Sequence, residues 1–136
     1  MTVDALILLA MAAHVALSAA LYCGLTLARA PAVWGIGSPD GWFAVREAAI
    51  AANLSNQFEW PIFFHTVCVL TLTGGTSTPL FAAVAWAFIL ARVAHTLVQV
   101  GGGTIRLRGI VFSVNFVAVL VLWALYGTIM LSGVLR

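Results

Sequence analysis

The chain has 136 residues, and only ten carry charge: six arginines, no lysine and four acidic residues, for a formal net charge of +2. Hydrophobic residues make up 63% and the mean hydropathy is +1.12, whereas a soluble domain draws about a quarter of its residues from Asp, Glu, Lys and Arg. So little charge cannot coat a water-facing surface, which excludes a soluble globular domain and a disordered chain. The arginines are scattered along the chain, which excludes a basic nucleic-acid-binding face. Lipid is the solvent for most of this protein.

Crossing a hydrocarbon core of about 30 Å takes about 20 helical residues, and four segments meet that need. They predict a single all-α transmembrane domain over residues 1–136, a four-helix bundle protomer with helices at about 4–28, 48–73, 79–100 and 109–131. The first begins at Asp4, has no basic stretch before it and is too long for a signal peptide, so it reads as a retained helix. The second needs an extension. Its uncharged part, Trp60–Thr73, has 14 residues and spans only about 21 Å, so the helix is carried back through Ala52, Ala51, Ala49 and Ala48, with Pro61 as a kink site. That extension places Asn53, Asn56, Gln57 and Glu59 in or near the membrane. The third starts on Pro79, where a missing N–H costs nothing.

The connections differ in character. Residues 29–46 read as a loop rich in Gly and Pro, with Trp34 and Trp42 suited to an interfacial belt. Gly74–Thr78 is a tight turn, and 101–108 holds three glycines but none of the GK[ST] of a phosphate-binding loop. Arg29, Arg46, Arg106 and Arg108 fall on one side and only Arg136 on the other, so the positive-inside rule predicts cytoplasmic arginine-bearing loops and both termini outside. Cys23 and Cys68 lie in apolar runs with no metal-ligand spacing, which reads as two buried small hydrophobes.

Ionisable residues at membrane depth are costly and face a partner, a cavity or the bundle interior. Counting from the turn at Gly74–Thr78, Glu59 lies about 21 Å down one helix and Arg92 about 19.5 Å down the next, which predicts a level carboxylate–guanidinium pair. The same count sets Asn56 beside His95, and Gln99 continues the stripe of Arg92 and His95 at i+7. Asn115 approaches this layer from the last helix, and Arg108 stands at that helix's N-terminus. Two readings follow: a buried pair that fixes bundle register, with Asn56, His95 and Asn115 as interhelical glue, or a polar pocket for a charged ligand open to the cytoplasmic side. An ion path is a third. His14, apart from the layer, reads as a packing histidine with Ser18 and Tyr22 as partners. No metal cluster, paired carboxylates or nucleophile with an adjacent base is present, so reactive chemistry would come with a cofactor or substrate.

Three stretches carry a resemblance: Asn56-Gln57-Phe58-Glu59-Trp60-Pro61, Ala91-Arg92-Val93-Ala94-His95-Thr96 and Arg106-Leu107-Arg108. With them the chain resembles the MAPEG superfamily, membrane-associated proteins in eicosanoid and glutathione metabolism, of the microsomal glutathione transferase and prostaglandin E synthase type. The resemblance implies a homotrimer, binding glutathione between subunits near the cytoplasmic side, and a transferase or peroxidase acting on small lipophilic substrates. It implies Asn56, Glu59, Arg92 and His95, with Gln99 on the same stripe, as glutathione-binding or site-organising residues. Arg108 falls at the position near the thiol and is the candidate catalytic residue. The chain departs from that pattern at Ala52, Leu54 and Ser55, where many members carry arginine and histidine, and at Gln99, where a tyrosine often stands. Arg46 is a candidate to replace the lost cationic contacts. The alternatives are a non-catalytic binding or structural protein of the same fold, or a small transporter.

Overall fold

A computed structural model describes residues 1–134; Arg136, used above for orientation, lies outside them. The described residues form an all-α bundle of six helices: α1 (Val3–Trp34), α2 (Trp42–Val45), α3 (Glu47–Ser55), α4 (Pro61–Thr73), α5 (Pro79–Gly101) and α6 (Ile105–Val134). Three of them, α1, α5 and α6, are long and apolar enough to cross a membrane. At 13 residues α4 is not, since it rises only about 20 Å.

The third predicted helix matches α5 to within a residue. Thr78 caps it by accepting from the Phe81 amide at 3.1 Å, and Pro79 occupies its first turn. The others differ. Helix α1 continues past Arg29 through Pro31, because the carbonyl Pro31 leaves unbonded lies near the helix end. It stops where Gly35 turns left-handed (φ 67°) and the Gly35 and Ile36 amides bond the Pro31 and Ala30 carbonyls in turn. The expected loop over 29–46 is thereby cut to 35–41 before α2. Helix α6 starts four residues earlier than expected, leaving only 102–104 between it and α5.

The predicted helix over 48–73 is broken in two. Between α3 and α4, residues 56–60 form turns in which the Gln57 amide bonds the Leu54 carbonyl and the Phe58 amide bonds the Ser55 carbonyl, each at 3.0 Å. Pro61 explains the interruption: its ring clashes with the carbonyl four residues back and it has no N–H to continue the ladder. More than a kink results.

Two apolar clusters hold the bundle. One joins Ile7 and Ala10 of α1, Phe64, Val67 and Cys68 of α4, Phe81, Ala82, Ala85, Phe88 and Ile89 of α5, and Ala118, Val119 and Leu122 of α6. Its alanines let backbones approach closely, as helices do in lipid where packing replaces the hydrophobic drive. The other gathers Leu21, Leu25 and Ala28 with Ile50 and Leu54. Tryptophans tie helices together: the Trp86 indole donates to the Leu6 carbonyl at 3.1 Å and Trp123 to Phe63 at 3.2 Å. Cys68 is buried as expected, but Cys23 is exposed on α1, on the side that faces away from the bundle.

Candidate functional site

A polar band separates the two apolar clusters: His14 and Ser18 on α1, Asn53 and Gln57 around the α3–α4 break, and Arg92, His95 and Gln99 on α5. Arg92 sits at its centre with 0% exposure. Its Nε and Nη2 donate to Gln57 Oε1 at 3.1 and 2.7 Å, and Nη2 also donates to the Asn56 carbonyl at 2.8 Å. In an unbroken helix that carbonyl would accept from the Trp60 amide. The break at Pro61 therefore supplies the acceptor that holds the arginine.

The expected Glu59–Arg92 pair is absent. Glu59 is exposed and accepts from Ser55 Oγ at 3.2 Å, and the ion pair among the described residues is Arg29–Glu47 at 2.8 Å. Counting depth along a continuous helix assumed a facing direction that the turns at 56–60 change. Gln57, a neutral residue, takes the place expected for Glu59.

From Gln57 the network spreads through Asn53, itself 0% exposed. Gln57 Nε2 and Thr96 Oγ1 both donate to Asn53 Oδ1 at 2.9 Å. Asn53 Nδ2 in turn donates to Gln99 Oε1 at 2.9 Å and lies 3.4 Å from His95 Nδ1. Asn56 Nδ2 reaches the same Gln99 oxygen at 3.3 Å. These bonds orient the outer groups. With Oε1 of Gln99 occupied by donors, its amide N–H groups are free to donate; with Nδ1 of His95 accepting, a neutral ring carries its proton on Nε2.

Those outer groups share one open cavity of about 300 Å³, lined by Asn56, His95, Gln99, Ile105, Arg108, Gly109 and Phe112. Four predicted site residues, Asn56, His95, Gln99 and Arg108, thus come together, while Arg92 stands behind them in the network and Glu59 is not among the lining residues. Arg108 makes no side-chain hydrogen bond among the described residues. Asn115 is buried, donates to the Val111 carbonyl at 3.0 Å and leaves Oδ1 unpartnered; it does not join the layer. Arg46 does not reach the cavity either: it donates to the Val100 carbonyl at the end of α5 and lies 5.7 Å from the Trp42 ring centroid.

His14 is part of the layer and not apart from it. Its Nε2 lies 3.1 Å from Gln57 Oε1 and its Nδ1 lies 3.1 Å from Nε2 of His65. Ser18 donates to the His14 backbone carbonyl at 3.0 Å, whereas Tyr22 packs edge-on against Phe58. Sequence reasoning missed Gln57, Thr96 and His65 as members. The i,i+4 spacings of Asn53 with Gln57 and of Arg92 with Thr96 were the available signal; a lone histidine in the apolar run of α4 offered none.

The cavity is a donor-rich recess beside apolar side chains, suited to an anionic group on a molecule that meets the membrane. The MAPEG family matches residues 7–128 of the chain. Comparison with curated proteins and with solved structures finds no match.

Proposed function

The chain belongs to the MAPEG family, and from that premise we propose a glutathione-dependent transferase or peroxidase acting on small lipophilic substrates in the membrane. The supporting observation is the convergence of Arg108, Gln99, His95 and Asn56 on one cavity. Bound glutathione supplies a thiol whose anion can attack an electrophile or reduce a hydroperoxide. The residues fit such a ligand. The Arg108 guanidinium favours an anion beside it, the Gln99 amide and the His95 ring donate hydrogen bonds, and Ile105 and Phe112 give an apolar wall for the second substrate. Glu59, exposed near the α3–α4 break, is available to an ammonium group, and Arg92 positions Asn56 and Gln57 from behind.

The wider arrangement belongs to the same proposal. Helices α3 and α4 together make a fourth crossing, the arginine-bearing connections face the cytoplasm, and three chains assemble so that a neighbour closes the open side of the cavity. A non-catalytic protein of this fold is the second reading, favoured by the bonds of Arg92 Nε and Nη2 to neutral groups inside the bundle. Glutathione titration of the detergent-solubilised protein separates the two. The enzyme reading expects heat of binding and a thiolate absorbance band, both reduced in Arg108→Ala. Neither signal at millimolar glutathione would leave the non-catalytic reading.

A further inference from the structure

Arg92 carries only N–H donors, and its burial gives direction to a row of side-chain amides. Its Nε and Nη2 take the oxygen of Gln57 at 3.1 and 2.7 Å, so the Gln57 nitrogen faces away from the charge. That nitrogen donates to Asn53 Oδ1 at 2.9 Å, which leaves the Asn53 nitrogen pointing onward. Asn53 Nδ2 donates to Gln99 Oε1, again at 2.9 Å, and the Gln99 nitrogen is left facing the cavity it lines with Arg108. Three amides in series thus turn their oxygens toward the guanidinium and their nitrogens toward the cavity. Reversing one alone would set oxygen against oxygen on one side and N–H against N–H on the other, and buried groups left unpaired in this way are costly.

Asn53 is the branch point of the row. It is buried, and a second donor, Thr96 Oγ1 at 2.9 Å, holds its oxygen in place. Its nitrogen has two hydrogens: one goes to Gln99, and the other faces His95 Nδ1 at 3.4 Å. A ring that accepts at Nδ1 carries its single proton on Nε2 when neutral, so the same residue sets the tautomer of a second cavity group. Asn56 also offers Nδ2 to the Gln99 oxygen, at the longer distance of 3.3 Å. Its side chain makes no other hydrogen bond among the described residues, so Asn56 follows Gln99 and does not lead it. Asn53 itself is not among the residues lining the cavity.

We propose that Asn53 is the positioning residue of the Arg108 cavity: it passes on the polarity imposed by Arg92, so that Gln99 and His95 both present N–H to a carboxylate or thiolate. The proposal deepens the reading of that cavity as the ligand site and rests on it for the use of the two donors, whereas their orientation is a property of the folded chain alone. Asn53→Asp keeps the shape of the side chain but accepts at both of its oxygens. It can take the same bonds from Gln57 and Thr96, yet it meets Gln99 and His95 with a lone pair where an N–H stood. Gln99 must then turn its nitrogen inward, with Asn56 turning over beside it, and His95 must place a proton on Nδ1.

The test uses the full chain in detergent micelles at mildly alkaline pH, with nitrogen-15 in its two glutamines and three histidines. Long-range proton–nitrogen spectra tell a protonated ring nitrogen from a bare one, and the wild-type chain should show His95 bare at Nδ1 and protonated at Nε2. The Gln99 side-chain N–H should exchange with water at least about tenfold faster than that of Gln57. In Asn53→Asp, His95 Nδ1 should be protonated and Gln99 exchange should slow about tenfold, the worth of one added hydrogen bond. Mere structural damage would instead speed exchange at both glutamines. The neutral Asn53→Leu should leave both His95 tautomers populated. Acetate should shift the His95 Nε2 and Gln99 signals of the wild-type chain, and methylammonium at the same concentration should leave them in place. Circular dichroism checks that both variants keep their helices, and the wild-type spectra decide the orientation without either variant. No glutathione is added, so the outcome is separate from that of the glutathione titration. A wild-type His95 protonated at Nδ1, a bare Nδ1 or faster Gln99 exchange in Asn53→Asp, or methylammonium shifting the signals as much as acetate would each overturn the proposal.

Discussion

Replacing Gln57 with leucine isolates the role of the neutral acceptor at the heart of the bundle. The substitution keeps volume but removes the oxygen that takes two bonds from Arg92 and one from His14, and the nitrogen that donates to Asn53. Hydrogen bonds to a charged group contribute about 1.5–3 kcal/mol each in proteins, although polar contacts between membrane helices average only about 0.6 kcal/mol because the lipid-embedded unfolded state finds partners too. Stripping the partner from a buried charge costs about 3–5 kcal/mol. Weighing these, Gln57→Leu should lose about 3 kcal/mol in a dodecyl sulfate unfolding titration followed by circular dichroism. Adding Arg92→Met removes the stranded charge and should recover at least about 1 kcal/mol of that loss. Glu59→Ala, on an exposed residue, should stay within about 0.5 kcal/mol of wild type. If Gln57→Leu is nearly neutral while Glu59→Ala is severe, the assignment of Gln57 as the partner of Arg92 is wrong.

Three further outcomes are expected. Arg46→Ala removes the bond to the Val100 carbonyl and the contact with Trp42; it should cost about 1 kcal/mol and speed proteolysis across 101–104. Gly102→Ala forces a side chain onto a left-handed residue (φ 83°) with Cβ 3.1 Å from the Arg46 guanidinium, which should lower the unfolding midpoint by the equivalent of about 1–2 kcal/mol. Gln99→Leu removes an oriented amide donor of the cavity; on the proposed function, glutathione affinity should fall about tenfold in calorimetry, with the helical content unchanged.

The spanning helices were readable from hydropathy because lipid imposes one rule on every residue, and the start of α5 was placed by Pro79. Asn56, His95 and Gln99 were also legible as a group, since polar side chains repeating on one helical face at membrane depth must meet something, whereas Arg108 entered as a site residue through the resemblance. The facing direction of Glu59 was not. Depth follows from counting, but azimuth is lost wherever the helix breaks, and the turns from Asn56 to Trp60 reset it. Charge drew attention to Glu59 when the geometry favoured Gln57, whose amide both accepts from Arg92 and donates to Asn53, something a carboxylate cannot do. His65 escaped because its importance lies in a partner from α1, 51 residues away.

Arg92 is permanently protonated, yet the groups that bind it are dipoles with no net charge. The folded protomer therefore holds a guanidinium whose hydrogen-bonding partners bring no countercharge, in a medium where electric fields are weakly screened. One helical turn further along α5, His95 borders the open recess. An anion settling there adds negative charge beside the layer's guanidinium groups, so occupancy and thermal robustness are linked quantities. A ligand of this kind should raise the melting temperature of the protein in proportion to its negative charge, and an uncharged analogue of the same shape should raise it less.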